Sequence, residues 1–162
     1  MVKISVRKPT DHDISTLAST LRDSDRQELI AATYLSPYEA IRISVDNSDP
    51  EFCWAYSAKG VLLCIAGCTK TGNPWLLASP ELQHYLYRLT KTAKASVRMM
   101  LKTYPTLTNM IDVRQTMTIR WLEILGFTLL DTLEIKPEYP LIRFQKVRDE
   151  RNIKHTTGVT GL

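Results

Sequence analysis

The sequence contains no long hydrophobic run, and this absence excludes a membrane-spanning helix. No stretch of its 162 residues approaches the roughly 20 apolar residues that such a helix needs. Residues 1–8 alternate charged and apolar side chains, so they do not form the apolar stretch of a secretory signal. We therefore expect a protein that stays in the cytosol or is packaged from it.

Cysteine and histidine are scarce, with three of each in the chain. Cys53, Cys64 and Cys68 lie within apolar segments, and their spacing is not that of a metal site or a secreted disulfide framework. A catalytic thiol is the alternative, but none of the histidines forms a local nucleophile motif with them. We predict reduced cysteines in the core.

Acidic residues are outnumbered, with 17 against 21 lysines and arginines, so the formal net charge is +4. This charge favours an anionic partner: nucleic acid, an acidic protein surface or a phosphorylated cofactor. The length and the 44% apolar content fit one globular domain, which we assign to residues 1–147. Residues 148–162 are polar with few apolar anchors and are predicted to form a flexible tail.

Local patterns predict a strand followed by three helices in the first third of the chain. The strand covers residues 3–7, and residues 14–32 form two short helices separated near residues 23–25. Ser36-Pro37-Tyr38-Glu39 has the form of a capping box and begins a third helix. Residues 47–50 are expected to end that helix, and three antiparallel strands follow at residues 52–57, 61–68 and 75–78.

A long amphipathic helix is predicted to begin at Ser79. Its apolar residues recur at steps of three and four as far as Leu101. The opposite face is basic, with Arg88, Lys91, Lys94, Arg98 and Lys102. A helix that directly follows a strand points free N–H groups at an anion, so this turn is a candidate diphosphate site. A solvated charged face is the alternative, and nucleic-acid binding is the least favoured because no aromatic residues interleave with the basic ones.

The rest of the chain is predicted as strand, helix and two strands. The strand lies near residues 109–113, the helix covers residues 116–125 and Gly126 ends it. The last strands are expected at residues 127–131 and 141–147.

The segment DVRQTMTIRWLEILGF, from Asp112 to Phe127, closely resembles the late strand–helix–strand signature of the GNAT N-acetyltransferase superfamily. Together with the element order, it makes the chain similar to an α+β GNAT fold, a mixed, mostly antiparallel central sheet flanked by helices. In detail the chain resembles the divergent GNAT-like proteins of tailed bacteriophages, of the internal virion protein type. The segments that carry this closer resemblance are Ser36-Pro37-Tyr38-Glu39-Ala40, Trp75-Leu76-Leu77-Ala78-Ser79 and Ile119-Arg120-Trp121-Leu122.

The resemblance implies a binding site for acetyl-CoA. In the superfamily, amides of the strand before the long helix hold the pantetheine arm, and a turn of the form Arg/Gln-x-x-Gly-x-Gly/Ala wraps the pyrophosphate. The nearest segment here runs from Arg88 to Ala93 with Lys91 in place of a glycine, and it lies either at the start of the long helix or inside it. The residues implied in cofactor binding are Leu77, Ser79, Arg88, Leu89, Thr90, Lys91, Thr92, Ala93, Gln115 and Trp121.

The catalytic positions depart from the superfamily, so the resemblance implies no catalytic residue directly. Gln115 replaces a common Asn, and Leu122 replaces the Tyr that protonates the leaving thiolate in many members. Water, Tyr85 or Tyr87 are the substitutes for that proton donor. The strand before the long helix also lacks the usual carboxylate, and Glu51 is the nearest alternative base.

Two functions compete at this point. The first is an enzyme that transfers an acetyl group from acetyl-CoA to an amine of a small molecule or a protein, and we rank it first on the fold resemblance. The second is a GNAT-shaped protein without transfer activity, acting as a virion component or by binding a host protein. Its partners would then be that host protein, further copies of this chain or other virion proteins. Lys91, Leu122 and the missing strand carboxylate favour the second.

Overall fold

The computed structural model describes residues 2–136 and 139–150. Its strands are β1 (Ile4–Arg7), β2 (Ser48–Ala58), β3 (Val61–Thr69), β4 (Pro74–Ala78), β5 (Thr106–Asp112), β6 (Thr128–Lys136) and β7 (Tyr139–Val147). Its α-helices are α1 (Asp11–Thr20), α2 (Asp23–Thr33), α3 (Pro37–Asp46), α4 (Leu86–Thr103) and α5 (Thr116–Ile124), with a 3₁₀ helix at Pro80–His84. No helix in these ranges is long and apolar enough to cross a membrane. Of the predicted tail, only residues 148–150 fall within the described ranges.

The strands form two antiparallel sheets, and helices cover both faces, so the α+β prediction is confirmed. One sheet has the order β1-β2-β3-β4 and the other β5-β7-β6. Ile14 and Leu17 of α1 and Ile41 of α3 pack on one face of the first sheet, in a cluster with Ile65. The opposite side carries α4 and α5, whose apolar residues pack together over β5 and β7.

Side chains cap the starts of α1 and α3. The start of α3 is confirmed, whereas α1 begins at Asp11, three residues before the expected residue 14. The Thr10 and Ser36 side chains each accept a hydrogen bond from a backbone N–H in the first turn, and Asp13 and Glu39 complete the two capping boxes. The backbone leaves the helical conformation at Leu21, so α1 and α2 are separate helices as predicted. Local hydrogen bonds are sufficient to set these ends.

Two predicted boundaries are wrong because long-range contacts set them. Residues 47–50 end α3 as expected, but the next strand was expected at residue 52 and β2 already begins at Ser48. A register shift between Ser48 and Cys53 accommodates Pro50 in this strand. The long helix was expected to begin at Ser79, but a 3₁₀ helix comes first and α4 begins at Leu86. The Ser79 hydroxyl donates to the carbonyls of Leu62 and Leu63, at 3.1 and 3.3 Å, instead of capping a helix.

The three cysteines are free and buried, as predicted. Burial raises the pKa of each thiol, to about 12 for Cys64 and Cys68. A thiol that stays protonated is a poor nucleophile, so the cysteines act as core residues.

Candidate active site

The two sheets meet where β4 and β5 begin. The Thr108 N–H donates to the Gly72 carbonyl at 3.1 Å, and the Asn73 amide donates to the Thr108 carbonyl at 2.8 Å. One step further along both strands, the Asn109 amide donates to the Pro74 carbonyl at 2.9 Å. The strands therefore run side by side in the same direction, and among the described residues only these hydrogen bonds connect them.

Gly72 makes this approach sterically accessible. Its φ of 85° is unfavourable for residues with a side chain, and an added Cβ would lie 2.8 Å from the Thr106 carbonyl oxygen. A glycine is therefore needed where the turn before β4 touches the start of β5.

Beyond this joint the strands belong to separate sheets, and β4 presents a free edge toward β5. The Ser79 N–H bonds to Leu63 of β3, and hydrogen-bonded pairs alternate in an antiparallel ladder. Residues 75 and 77 therefore face β3, while Pro74, Leu76 and Ala78 point their backbone groups toward β5. Within the described chain, no hydrogen bond reaches the N–H or the carbonyl of Leu76.

A cleft of about 630 Å³ passes through the gap between β4 and β5. Leu76 and Ala66 belong to the apolar cluster on the α4 side, whereas Leu77 and Trp75 pack in the cluster on the α1 and α3 side, and all four line the cleft. All three tryptophans of the chain line it as well: Trp54, Trp75 and Trp121. The cleft thus connects the two faces of the molecule, and its size is that of a small-molecule site.

The ten residues implied in cofactor binding divide into two groups in the structure. Six of them line the cleft: Leu77, Leu89, Thr92, Ala93, Gln115 and Trp121. The other four lie outside its lining: Ser79, Arg88, Thr90 and Lys91. The segment from Arg88 to Ala93 lies inside α4, the second of the two positions that the sequence left open, and forms no turn. Thr90 still contacts the lining, because its Oγ1 accepts a hydrogen bond of 3.1 Å from the Trp121 indole.

Three carboxylates come together on the α2 side of the cleft. Asp25 is buried and paired with Arg22 at 2.7 Å, and Asp112 is buried and paired with Arg114 at 2.5 Å. Glu28 lines the cleft and accepts a hydrogen bond from the Gln115 side chain. None of the ion pairs found in the described ranges includes Glu28.

The surroundings of Glu28 favour its protonated form. Burial, followed by the negative charges of Asp25 and Asp112, raises the pKa of Glu28 to about 7. A carboxyl group with a pKa near neutrality accepts and releases protons readily, and it is well suited to act as a general base.

Tyrosine hydroxyls are the other proton donors near the cleft. Leu122, at the usual tyrosine position of the superfamily, is buried and lines the cleft with its apolar side chain. Neither Tyr85 nor the largely exposed Tyr87 is among the lining residues. Tyr56 on β2 is buried in the lining, and burial raises the pKa of its hydroxyl, so it stays protonated.

Sequence reasoning missed Glu28, Asp25 and Tyr56. Glu51, which it proposed as the base, also lines the cleft but is solvent-exposed on β2. The only local signal for Glu28 and Asp25 was the excess of acid on α2, with three acidic residues and one basic residue. The described residues contain no group of three side chains arranged to hold a metal ion.

No family model matches the sequence, and no characterised protein matches it in sequence. Solved structures do match the fold. An acetyltransferase of the GNAT family from Bacillus anthracis is 13% identical, with a TM-score of 0.64 over 91% of this chain and 98% of that one. The PaiA N-acetyltransferase from Thermoplasma acidophilum, solved with coenzyme A, is 15% identical, with a TM-score of 0.62 over 90% and 99%.

An aminoglycoside acetyltransferase solved with coenzyme A is 18% identical, with a TM-score of 0.60 over 90% of this chain and 95% of that one. Because these similarities extend over nearly the whole of each chain, the present chain has the fold of the GNAT acetyltransferases. At such low identity, the similarity establishes the fold alone.

Proposed function

We propose that this protein is an N-acetyltransferase that uses acetyl-CoA to acetylate an amine of a small molecule or a protein. The observation that carries the proposal is the cleft between β4 and β5. Residues from both faces of the first sheet line it, so we infer that a donor on one side and an acceptor on the other can meet between the strands. The coenzyme A complexes of proteins with this fold support the same assignment.

The residues on the α4 side fit an anionic cofactor with an amide-containing arm. Leu76 presents a free N–H and a free carbonyl at the strand edge, which suits the amides of a pantetheine arm. The α4 sequence has five basic residues and no acidic one, and its N-cap residue Tyr85 makes no side-chain cap bond, so no N-cap side chain neutralises the positive end of the helix dipole. Arg88 and Lys91 are exposed near that end and supply positive charge for phosphates.

The residues on the α2 side fit a cationic acceptor. Glu28 accepts a proton from the acceptor ammonium, which leaves a neutral amine as the nucleophile. Bound acetyl-CoA would supply the acetyl group as a thioester. As the C–N bond forms and the C–S bond breaks, the acylated nitrogen releases its second proton to solvent and the departing thiolate takes up a proton. We assign Tyr56, the tyrosine of the lining, as the donor of that proton, and its phenolate is reprotonated from solvent.

The test is an acetyl-transfer assay in which the release of the coenzyme A thiol is measured. The probes are a primary arylalkylamine, spermidine, an aminoglycoside and a lysine-containing peptide. We expect release with at least one of them, and the Glu28→Gln variant should lose about 100-fold in kcat/KM because general-base catalysis contributes at least that much. Glu81→Gln is the control, since Glu81 is exposed and lies outside the cleft lining. Equal rates for Glu28→Gln and the unaltered chain would exclude Glu28 as the base.

A second candidate is a GNAT-shaped protein without transfer activity, acting in a virion or by binding a host protein. Leu122 favours it, because the proton donor common in this fold is missing from α5. The backbone of β4 favours it too, because Ala78 is already hydrogen-bonded within the protein. Retention of acetyl-CoA binding with no thiol release for any amine would support this candidate.

A further inference from the structure

The free edge of β4 is short in hydrogen-bond donors. Only Pro74, Leu76 and Ala78 face β5, and proline has no N–H. The edge therefore offers two N–H donors, one from Leu76 and one from Ala78. A ligand that accepts backbone hydrogen bonds from this edge has only these two groups available.

The protein itself occupies the second donor. The Ala78 N–H donates to Asp25 Oδ2 at 2.9 Å, and the Ala78 carbonyl accepts from the Arg22 N–H at 2.8 Å. The start of α2 therefore bonds both backbone groups of Ala78. Asp25 is itself 3% exposed, and its carboxylate is also held by the Arg22 guanidinium at 2.7 and 3.2 Å.

We propose that Asp25 competes with the cofactor for the Ala78 N–H, so that acetyl-CoA binds fully only when α2 releases this amide. The inference rests on the proposed function, because it concerns how that cofactor enters the cleft. Asp25 is a residue that sets the affinity, and it takes no part in the chemistry. Its carboxylate and the thioester carbonyl are both hydrogen-bond acceptors. The Ala78 backbone has one N–H to donate, so it can serve only one of these two acceptors at a time.

The Asp25 contact is well suited to being exchanged. Burial raises the pKa of Asp25 even though Arg22 and the Ala78 N–H both favour its charged form, so the carboxylate loses hydration in this position. Release returns it to water together with Arg22, which is only half-buried. The loss of one hydrogen bond is thus partly offset by recovered solvation.

The consequence for affinity can be measured by calorimetric titration with acetyl-CoA. Asp25→Ala should bind about tenfold more tightly than the unaltered chain, because a net cost of about 1.4 kcal/mol for a charged hydrogen bond is removed. Asp25→Asn keeps an acceptor oxygen without the charge and should lie between the two. The matched control is Asp13→Ala: Asp13 is equally buried and paired with Arg7, but it lies outside the cleft lining, so its removal should leave the affinity unchanged.

A second measurement does not depend on the variant being folded. In the unaltered chain, the ¹⁵N amide resonance of Ala78 should shift on titration with acetyl-CoA. The change in chemical shift should saturate and fit the same Kd as calorimetry. Binding with an unmoved Ala78 amide, or Asp25→Ala binding no more tightly than the unaltered chain, would overturn the competition and leave the proposed function standing. Absence of binding by every one of these proteins would instead overturn the proposed function, and the competition with it.

Discussion

Glu28 is the residue whose chemistry depends most on its surroundings. Its neighbours Asp25 and Asp112 each have an arginine partner, so their charges are largely balanced, while the one hydrogen-bond partner that Glu28 has among the described residues is the neutral Gln115 amide. A carboxylate in this position is the most basic group of the cluster. Three carboxylates and two guanidinium groups leave one negative charge unbalanced when Glu28 is ionised. The ammonium group of an acceptor would balance that charge.

Glu28 should also make the stability of the fold depend on pH. Its pKa of about 7 in the folded protein lies above the ordinary value of 4.5, so the folded state binds this proton more tightly than the unfolded state. The stabilising contribution is therefore fully present below about pH 4.5 and is lost as pH rises through 7. We expect the free energy of unfolding to fall with pH over this range more steeply in the unaltered chain than in Glu28→Gln.

Urea unfolding at pH 5, 6, 7 and 8 measures this difference. Glu81→Gln, at an exposed position, should reproduce the pH dependence of the unaltered chain. Asp13, whose pKa lies at about 2 because of its hydrogen bond with Arg7, affects stability only at lower pH and does not interfere. Parallel curves for the unaltered chain and Glu28→Gln would show that the Glu28 carboxyl is not held in the environment described here.

At the residue scale, the Asp112–Phe127 segment pointed to Gln115 and Trp121, and both residues line the cleft. Their part in cofactor binding stays a prediction. Glu28 has no distinguishing local pattern, because the group that bonds it lies 87 residues away along the chain. Its proposed role follows from its contact with Gln115, just before α5.

At the element scale, boundaries set by local hydrogen bonds could be predicted from the sequence, and boundaries set by long-range contacts could not. Helix starts at Thr10 and Ser36 were predictable because the capping side chains lie within three residues of the groups they bond. The 3₁₀ helix and the early start of β2 were not, because Ser79 bonds to β3 and Ser48 pairs with Thr69. The separation of β4 from β5, which creates the cleft, has no local signal either.

Asn109 should contribute strongly to the joint between the two sheets. Its side-chain amide donates to the Pro74 carbonyl, and its Oδ1 accepts from the Met110 N–H at 2.8 Å. Asn109→Ala leaves both backbone groups without these partners, and we expect a loss of about 1–3 kcal/mol in the free energy of unfolding. Asn47→Ala, at an exposed position after α3, is the control and should cost less than about 0.5 kcal/mol. Equal losses in chemical denaturation would mean that Asn109 does not join the sheets.

At the scale of the whole molecule, charge is distributed unevenly around the cleft. The α4 sequence carries five basic residues and no acidic one, whereas α2 carries three acidic residues and one basic one. This distribution matches an anionic donor on one side and a cationic acceptor on the other. The net charge of +4 pointed to an anionic partner but could not reveal the acidic site, because the net value sums over both sides.

The most direct test of the account is calorimetric titration of acetyl-CoA into the unaltered chain and into two tryptophan variants of α4. Thr92 is exposed and lines the cleft, so Thr92→Trp should fill it; Lys94 is exposed but outside the lining, so Lys94→Trp adds the same side chain elsewhere on the helix. The account predicts saturable one-to-one binding that is weakened at least tenfold by Thr92→Trp and unchanged by Lys94→Trp. No binding at millimolar acetyl-CoA, or equal binding by both variants, would contradict a cofactor site between β4 and β5.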